Sequence, residues 1–137
     1  MSADNSDALK LLSSAGDYWI VNWKLVQYIN DPDNGFKEKV KGSEGLEESI
    51  ILGYLASKQR YWADRGKLTS DGFFYCSVKS MQMDTTIEVR KQRKAIHNLE
   101  KMKLIELKPI REKGVETKRY FKINTEQLAR CLGIEQV

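Results

Sequence analysis

The hydrophobic period changes part-way through residues 84–124, DTTIEVRKQRKAIHNLEKMKLIELKPIREKGVETKRYFKIN, and this change fixes the local architecture. Up to Met102 the apolar residues recur at helical spacing. From Leu104 onward, two runs rich in branched and aromatic residues flank a charged, Gly-containing loop. The pattern predicts a polar turn, a helix over Ile87–Met102, strands over Ile105–Arg111 and Lys118–Asn124, and a loop over Glu112–Thr117 that contains Gly114. Thr85 and Thr86 carry side-chain oxygens just before the helix and are the expected N-caps.

At about 100° per residue, Ala95, Leu99 and Met102 share a narrow sector with Gln92 beside them. Ile87 lies at one margin of that seam and Ile96 on the other. Arg90, Arg93, Lys94, His97 and Lys101 fall on the opposite side, where spacings of three and four bring them into one row. The acidic residues of the helix, Glu88 and Glu100, sit near its two ends. A helix shaped only for solubility interleaves Glu with Lys at i,i+4; this outer face is almost wholly cationic.

The charge of the whole chain, +4 over 137 residues, conceals this asymmetry. Residues 79–122 hold 13 Lys/Arg against 6 Asp/Glu, an excess of +7, whereas residues 1–78 sum to −2 and residues 123–137 to −1. Positive charge confined to a helix and a hairpin is the electrostatic footprint of a nucleic-acid face. A DNA major groove about 12 Å wide admits one helix, and its base edges accept hydrogen bonds from Arg and Lys. Arg90 and Arg93 are the residues expected at base edges, being near the helix start and carrying a planar fork. Thr85, Thr86, Lys91 and Lys94 are expected at phosphates, and Asn98 and Lys101 lie too far along the helix. The hairpin adds Arg111 and Lys113 before its turn and Lys118 and Arg119 after it, suited to the backbone or to a minor groove. A solubilising hairpin is the plainer alternative, since charge on an exposed hairpin also blocks edge pairing.

Elsewhere, residues 1–16 are small and polar and read as an N-terminal arm, with the folded domain over 17–132 and a short tail over 133–137. Trp19 and Val21 suit one face of a short strand, and Asn22 suits the cap of a helix over 23–29. Residues 30–45 carry Pro32, Gly35, Gly42 and Gly45 among charges and read as a surface loop inside the domain. A helix is predicted from Leu46 to about Trp62, with Ser43, Glu44, Glu47 and Glu48 supplying capping chemistry and acid in its first turn. A short aromatic strand follows at residues 73–77, a two-turn helix over Val78–Asp84, and a last short helix from Thr125 to near Leu132–Gly133. The aromatic residues Tyr18, Trp19, Trp23, Tyr28, Tyr54, Tyr61 and Trp62 are expected mostly in the core, with one or two left for a dimer or partner surface.

Catalysis is not expected: there is one His, His97, no Gly-rich phosphate loop and no nucleophile motif. No cofactor and no small-molecule substrate are expected either. Cys76 and Cys131 lack partner motifs and are expected reduced and partly buried, and two Cys with one His do not close a zinc site. No apolar run reaches the ~20 residues of a membrane span, and the N-terminus lacks the order of a signal peptide, so a cytoplasmic protein is expected.

Five stretches taken together, WIVNWKL (19–25), ESIILGYLASKQRYW (48–62), DGFFYCSVKSM (71–81), TTIEVRKQRKAIHNLEKMKLIELK (85–108) and KRYFKIN (118–124), resemble the winged helix-turn-helix superfamily. More narrowly they look like winged-helix domains of phage and mobile-element proteins from low-GC Gram-positive bacteria, among them the N-terminal domains of DnaD-like replication-initiation proteins and phage replisome organisers. The resemblance implies an α+β fold, mostly helical with a small antiparallel β-wing. It also implies a non-enzymatic, double-stranded-DNA-binding function in the replication initiation of a phage, plasmid or other mobile element, with a possible replication-protein partner. A transcriptional repressor on the same fold, or a protein-interaction module, is the alternative. A homodimer is expected, since modules of this size gain site length by pairing half-sites. Two departures stand out. Lys103 occupies a position where the family often has Gly, so a left-handed cap there carries strain. The second C-terminal domain usual in the family's replication proteins is not among these residues, which implies a free-standing winged helix or an isolated domain.

Overall fold

The computed structural model describes residues 23–40, 42–111, 113–114 and 117–133. The elements are α1 (Trp23–Asn30), α2 (Leu46–Asp64), β1 (Phe74–Tyr75), α3 (Val78–Thr85), α4 (Val89–Lys101), β2 (Ile105–Ile110), β3 (Lys118–Ile123) and α5 (Thr125–Cys131). This is an α+β fold in which helices pack on one face of a three-stranded antiparallel sheet of order β1-β3-β2. From α2 onward the order of elements is the expected one. The expected arm, the strand around Trp19 and Val21, the Asn22 cap, residues 112, 115 and 116 of the hairpin loop and residues 134–137 of the tail lie outside the described residues.

Strand alternation sets the core. Phe74 pairs with Phe121, and Phe121 with Leu107, so these three face the helices together with Ile105 and Ile123. Against them pack Ile51, Leu52 and Leu55 of α2, Met81 of α3, and Ala95, Ile96 and Leu99 of α4, all buried. The seam of α4 is the one its helical spacing predicts, with Gln92 and Met102 buried beside it. Asn98, one step round the helix, is buried as well.

The stretch 30–45 differs from a plain surface loop. It contains 3-10 turns at Pro32–Asn34 and Lys37–Val40, and Val40 is fully buried. Phe36 meets the ring of Tyr28 at 6.0 Å, and an apolar pair separated by only eight residues draws the segment onto the core. The cap of α2 is also not the expected serine. Gly45 takes that position in left-handed backbone, φ 81°, and a Cβ there would stand 3.1 Å from Ile29 Cγ2. Ser43 instead donates its hydroxyl to Glu48 at 2.8 Å.

Helix α4 ends in a two-bond Schellman cap. Lys103 N–H donates to Glu100 C=O at 2.9 Å and Leu104 N–H to Leu99 C=O at 3.0 Å, while Leu99 and Leu104 are both fully buried. The left-handed residue this motif demands is Lys103, φ 60°, as the sequence implies.

Candidate nucleic-acid interface

The turn between α3 and α4 corrects the reading of both threonines. Thr85 is the last residue of α3 and is buried; its hydroxyl donates back to Met81 C=O at 2.6 Å and accepts from Ile87 N–H at 3.2 Å. That hydroxyl is committed to the turn rather than offered to a phosphate. Thr86 is exposed, but it caps the C-terminus of α3 rather than opening α4, with φ 63° and its N–H on Gln82 C=O at 2.8 Å. Threonine bonds back to the i−4 carbonyl as readily as it caps, and here the first option wins. Glu88, in extended backbone and with no side-chain cap bond, precedes α4, so the helix starts two residues later than predicted.

From this start α4 presents Arg90, Arg93, Lys94, His97 and Lys101 as exposed residues on the side away from Ala95 and Leu99. Among the described residues, no ion pair joins Arg90 or Arg93 to a carboxylate. Lys91, expected at a phosphate, lies beside this row. It turns toward the first turn of α2 and lies 3.9 Å from Glu47, a partly exposed pair that offsets its charge.

Beneath the ridge, buried Gln92 joins three elements. Its amide donates to Ile87 C=O at 2.9 Å, within the turn, and to Val78 C=O at 3.3 Å, in the first turn of α3. Its carbonyl oxygen receives Arg119 Nη2 at 3.5 Å, the outer limit of a hydrogen bond. The angle between α3 and α4, and the seat of the hairpin against α4, therefore pass through one fully buried side chain.

Arg119 does not stand on the outside of the hairpin as expected. It shares the inner face with Phe121, its guanidinium carbon 5.2 Å from that ring, and its Nε is buried without a hydrogen-bond partner. Burial lowers its pKa from the ordinary arginine value, and the neighbouring positive charge of Arg93 acts in the same direction. Lys118 points to the opposite face, with Nζ 5.6 Å from the centre of the Tyr75 ring. Arg111 and Lys113, at the loop end of the hairpin, are exposed.

Two clefts flank Arg119. One, of about 360 Å³, runs between α4 and the hairpin and is lined by Arg93, Ile96, His97, Glu100, Leu107, Pro109 and Thr117. The other, of about 420 Å³, opens between β1, α3 and the start of α4, with Tyr75, Ser77, Lys79, Gln82 and Thr117 on its walls. Ser77, Lys79 and Tyr75 were not anticipated at such a site. The available signal was their position: Ser77 caps α3 through Ser80 N–H at 3.0 Å, so Lys79 falls in an N-terminal turn open to solvent.

The two thiols are buried and free, and burial raises the pKa of each. Of the aromatic residues, Tyr54 is fully buried; burial and its 2.7 Å hydrogen bond to Asp84 raise its pKa far above the usual range. Tyr61 is 45% exposed, edge-on to Trp62 at 5.0 Å and with the Arg65 guanidinium 3.5 Å over its ring. Among the described residues no helix is long and apolar enough to cross a membrane.

No family model, no curated protein and no solved structure matches this chain.

Proposed function

We propose that this chain is a non-enzymatic, double-stranded-DNA-binding protein of winged helix-turn-helix type, with α4 as its recognition helix and the β2–β3 hairpin as its wing. Helix α3, the Thr86–Glu88 turn and α4 form the helix-turn-helix unit. Arg90 and Arg93 meet base edges, Lys94 and Thr86 meet phosphates, and Arg111 and Lys113 follow the backbone beside the groove. Thr85 and Lys91 act only through the turn and through Glu47. The setting is the cytoplasm and the replication initiation of a mobile element, and the working form is a homodimer on paired half-sites.

The observation that carries this reading is the exposed Arg90–Arg93 pair on the solvent side of a helix whose other side is fully committed to the core. The Gln92 hub and the Schellman cap at Lys103 hold that side in place at both ends. A helix fixed on one side, with Arg90 and Arg93 exposed on the other, meets the first requirement for reading a duplex.

The test is duplex binding by fluorescence anisotropy across a salt series. With about five phosphates engaged, affinity falls roughly 500-fold between 50 and 200 mM salt. Arg90→Ala with Arg93→Ala is expected to remove most sequence preference. A flat salt response, or a double variant that binds as the wild type does, refutes the reading. Sequencing the bound genomic fragments separates initiation from transcriptional control: clustered repeats near an origin mark the first, promoter-overlapping half-sites the second.

A further inference from the structure

The sheet has a second face that the proposed function leaves unused. Tyr75 pairs with Tyr120, and Tyr120 with Lys108, so these three point away from the face that carries Phe74, Phe121 and Leu107. Tyr75 is 43% exposed and Tyr120 half-buried, with ring centres 5.6 Å apart and planes tilted by 45°. Lys118 Nζ lies 5.6 Å from the Tyr75 ring centre. Lys108 and Lys122 lie 5.5 and 5.9 Å from the ring of Phe73, which closes one end of the row. Asp71 holds both of those lysines, Lys108 by its carboxylate at 3.0 Å and Lys122 by its backbone carbonyl at 3.1 Å, and Glu106 stands opposite Lys122 in register. Lys118 takes part in no ion pair among the described residues.

A cross-strand tyrosine pair alone is an ordinary source of sheet stability. Two further observations distinguish this one. The residues around the rings carry a cationic excess, three lysines against Asp71 and Glu106. Tyr75 is also a wall of the 420 Å³ cleft, so the cationic surface of Lys79 and Arg119 continues onto the rings.

We propose that this face is a stacking platform for unpaired nucleotides, with single-stranded nucleic acid as its ligand. Bases stack on Tyr75 and Tyr120, and Lys118 and Lys79 meet the backbone as it passes into the cleft. A paired base keeps its faces inside the duplex and has none to offer these rings, so the platform selects unpaired strands by geometry. It shares with the proposed function only the nucleic-acid class of the ligand and uses neither Arg90 nor Arg93.

The test measures the full chain, by anisotropy at low salt, on a labelled oligothymidylate of about 20 nucleotides, long enough for one site, and on a duplex. Tyr75→Ala with Tyr120→Ala is expected to weaken single-strand binding by roughly tenfold per ring and to change duplex binding by less than about threefold. Tyr75→Phe with Tyr120→Phe is expected to bind both ligands as the wild type does, because the ring stacks without its hydroxyl. Lys118→Gln is expected to weaken single-strand binding several-fold while melting at the wild-type temperature, which keeps the test valid if the alanine pair unfolds. Wild-type failure on oligothymidylate, or unchanged single-strand affinity in both the alanine pair and Lys118→Gln, overturns the proposal. Single-strand binding that depends on the tyrosines, in a protein that ignores duplex, supports the platform and refutes the duplex reading alone.

Discussion

Asn98→Ala tests most directly how α4 is held. Asn98 is 5% exposed and donates Nδ2 to Glu48 Oε2 at 3.0 Å. Glu48 is 1% exposed, and its other oxygen accepts from Ser43 at 2.8 Å. Truncating Asn98 removes a donor from a buried carboxyl group and opens a small void between α2 and α4. A buried polar group left unsatisfied costs roughly 1–3 kcal/mol, so a loss of about 2 kcal/mol is expected. For a chain of this size about 3 °C accompanies each kcal/mol, which puts the fall in Tm near 6 °C. Glu48→Leu alone removes the buried carboxyl group that accepts from both Asn98 and Ser43, and is expected to cost about as much. Glu48→Leu combined with Asn98→Leu removes both partners and is expected to cost about 1 kcal/mol less than the sum of the single changes. Urea unfolding followed by far-UV circular dichroism measures all three, and an unchanged m-value shows that the unfolded state is the same. If Asn98→Ala stays within about 0.5 kcal/mol of wild type, or the two single changes are additive, the buried pair does not hold the helix.

Three smaller outcomes concern the helix cap, a surface carboxylate and the thiols. Lys103→Gly is expected to stabilise the protein by about 1 kcal/mol in the same urea assay, because φ 60° is strained for lysine and free for glycine; a destabilised variant contradicts the Schellman account. Asp71 is held down to about 2, first by the Thr69 hydroxyl and then by Lys108. Its folded pKa lies below the ordinary 3.8, so its contribution is complete above pH 4 or so and is lost as pH falls toward about 2. A side-chain carboxyl NMR titration is expected to show this low value, and Lys108→Ala to raise it only part of the way, since Thr69 remains. Cys76 and Cys131, buried and with raised pKa, are expected to react with a thiol reagent only on unfolding; rapid labelling of the native protein contradicts their burial.

What the sequence disclosed, and what it concealed, divides along physical lines. Periodic patterns were legible because burial enforces them: the α4 seam, the order of the sheet elements and the exposed side of Arg90 and Arg93 all follow from 3.6- and 2-residue repeats. Single side chains with two competing uses were not. Thr85 suits an N-cap by composition, yet its hydroxyl bonds Met81 C=O, and only the path of the chain selects between the two. Glu48 reads as solvated acid in a first turn, but its carboxyl group is buried between Ser43 and Asn98, a partner 50 residues away. Lys91 lies 3.9 Å from Glu47 of α2, a pairing that no local pattern encodes.

Arg119 is the instructive case, because alternation alone places it correctly. Residues 119, 121 and 123 share a face, and Phe121 and Ile123 are core, so the period of the strand turns Arg119 inward whatever its charge. Positive charge suggested the outside; the strand period prevailed. The guanidinium lies against Phe121 and near Gln92, and among the described residues no carboxylate pairs with it and its Nε has no hydrogen-bond partner. Burying a cation opposes stability where no counter-charge repays its desolvation, and none does so among the described residues. The same arrangement places positive charge between α4 and the hairpin, where, under the proposed function, a strand of phosphates crossing from one to the other supplies an anion. Under the proposed function, the cation at the junction serves the bound state rather than the stability of the free one.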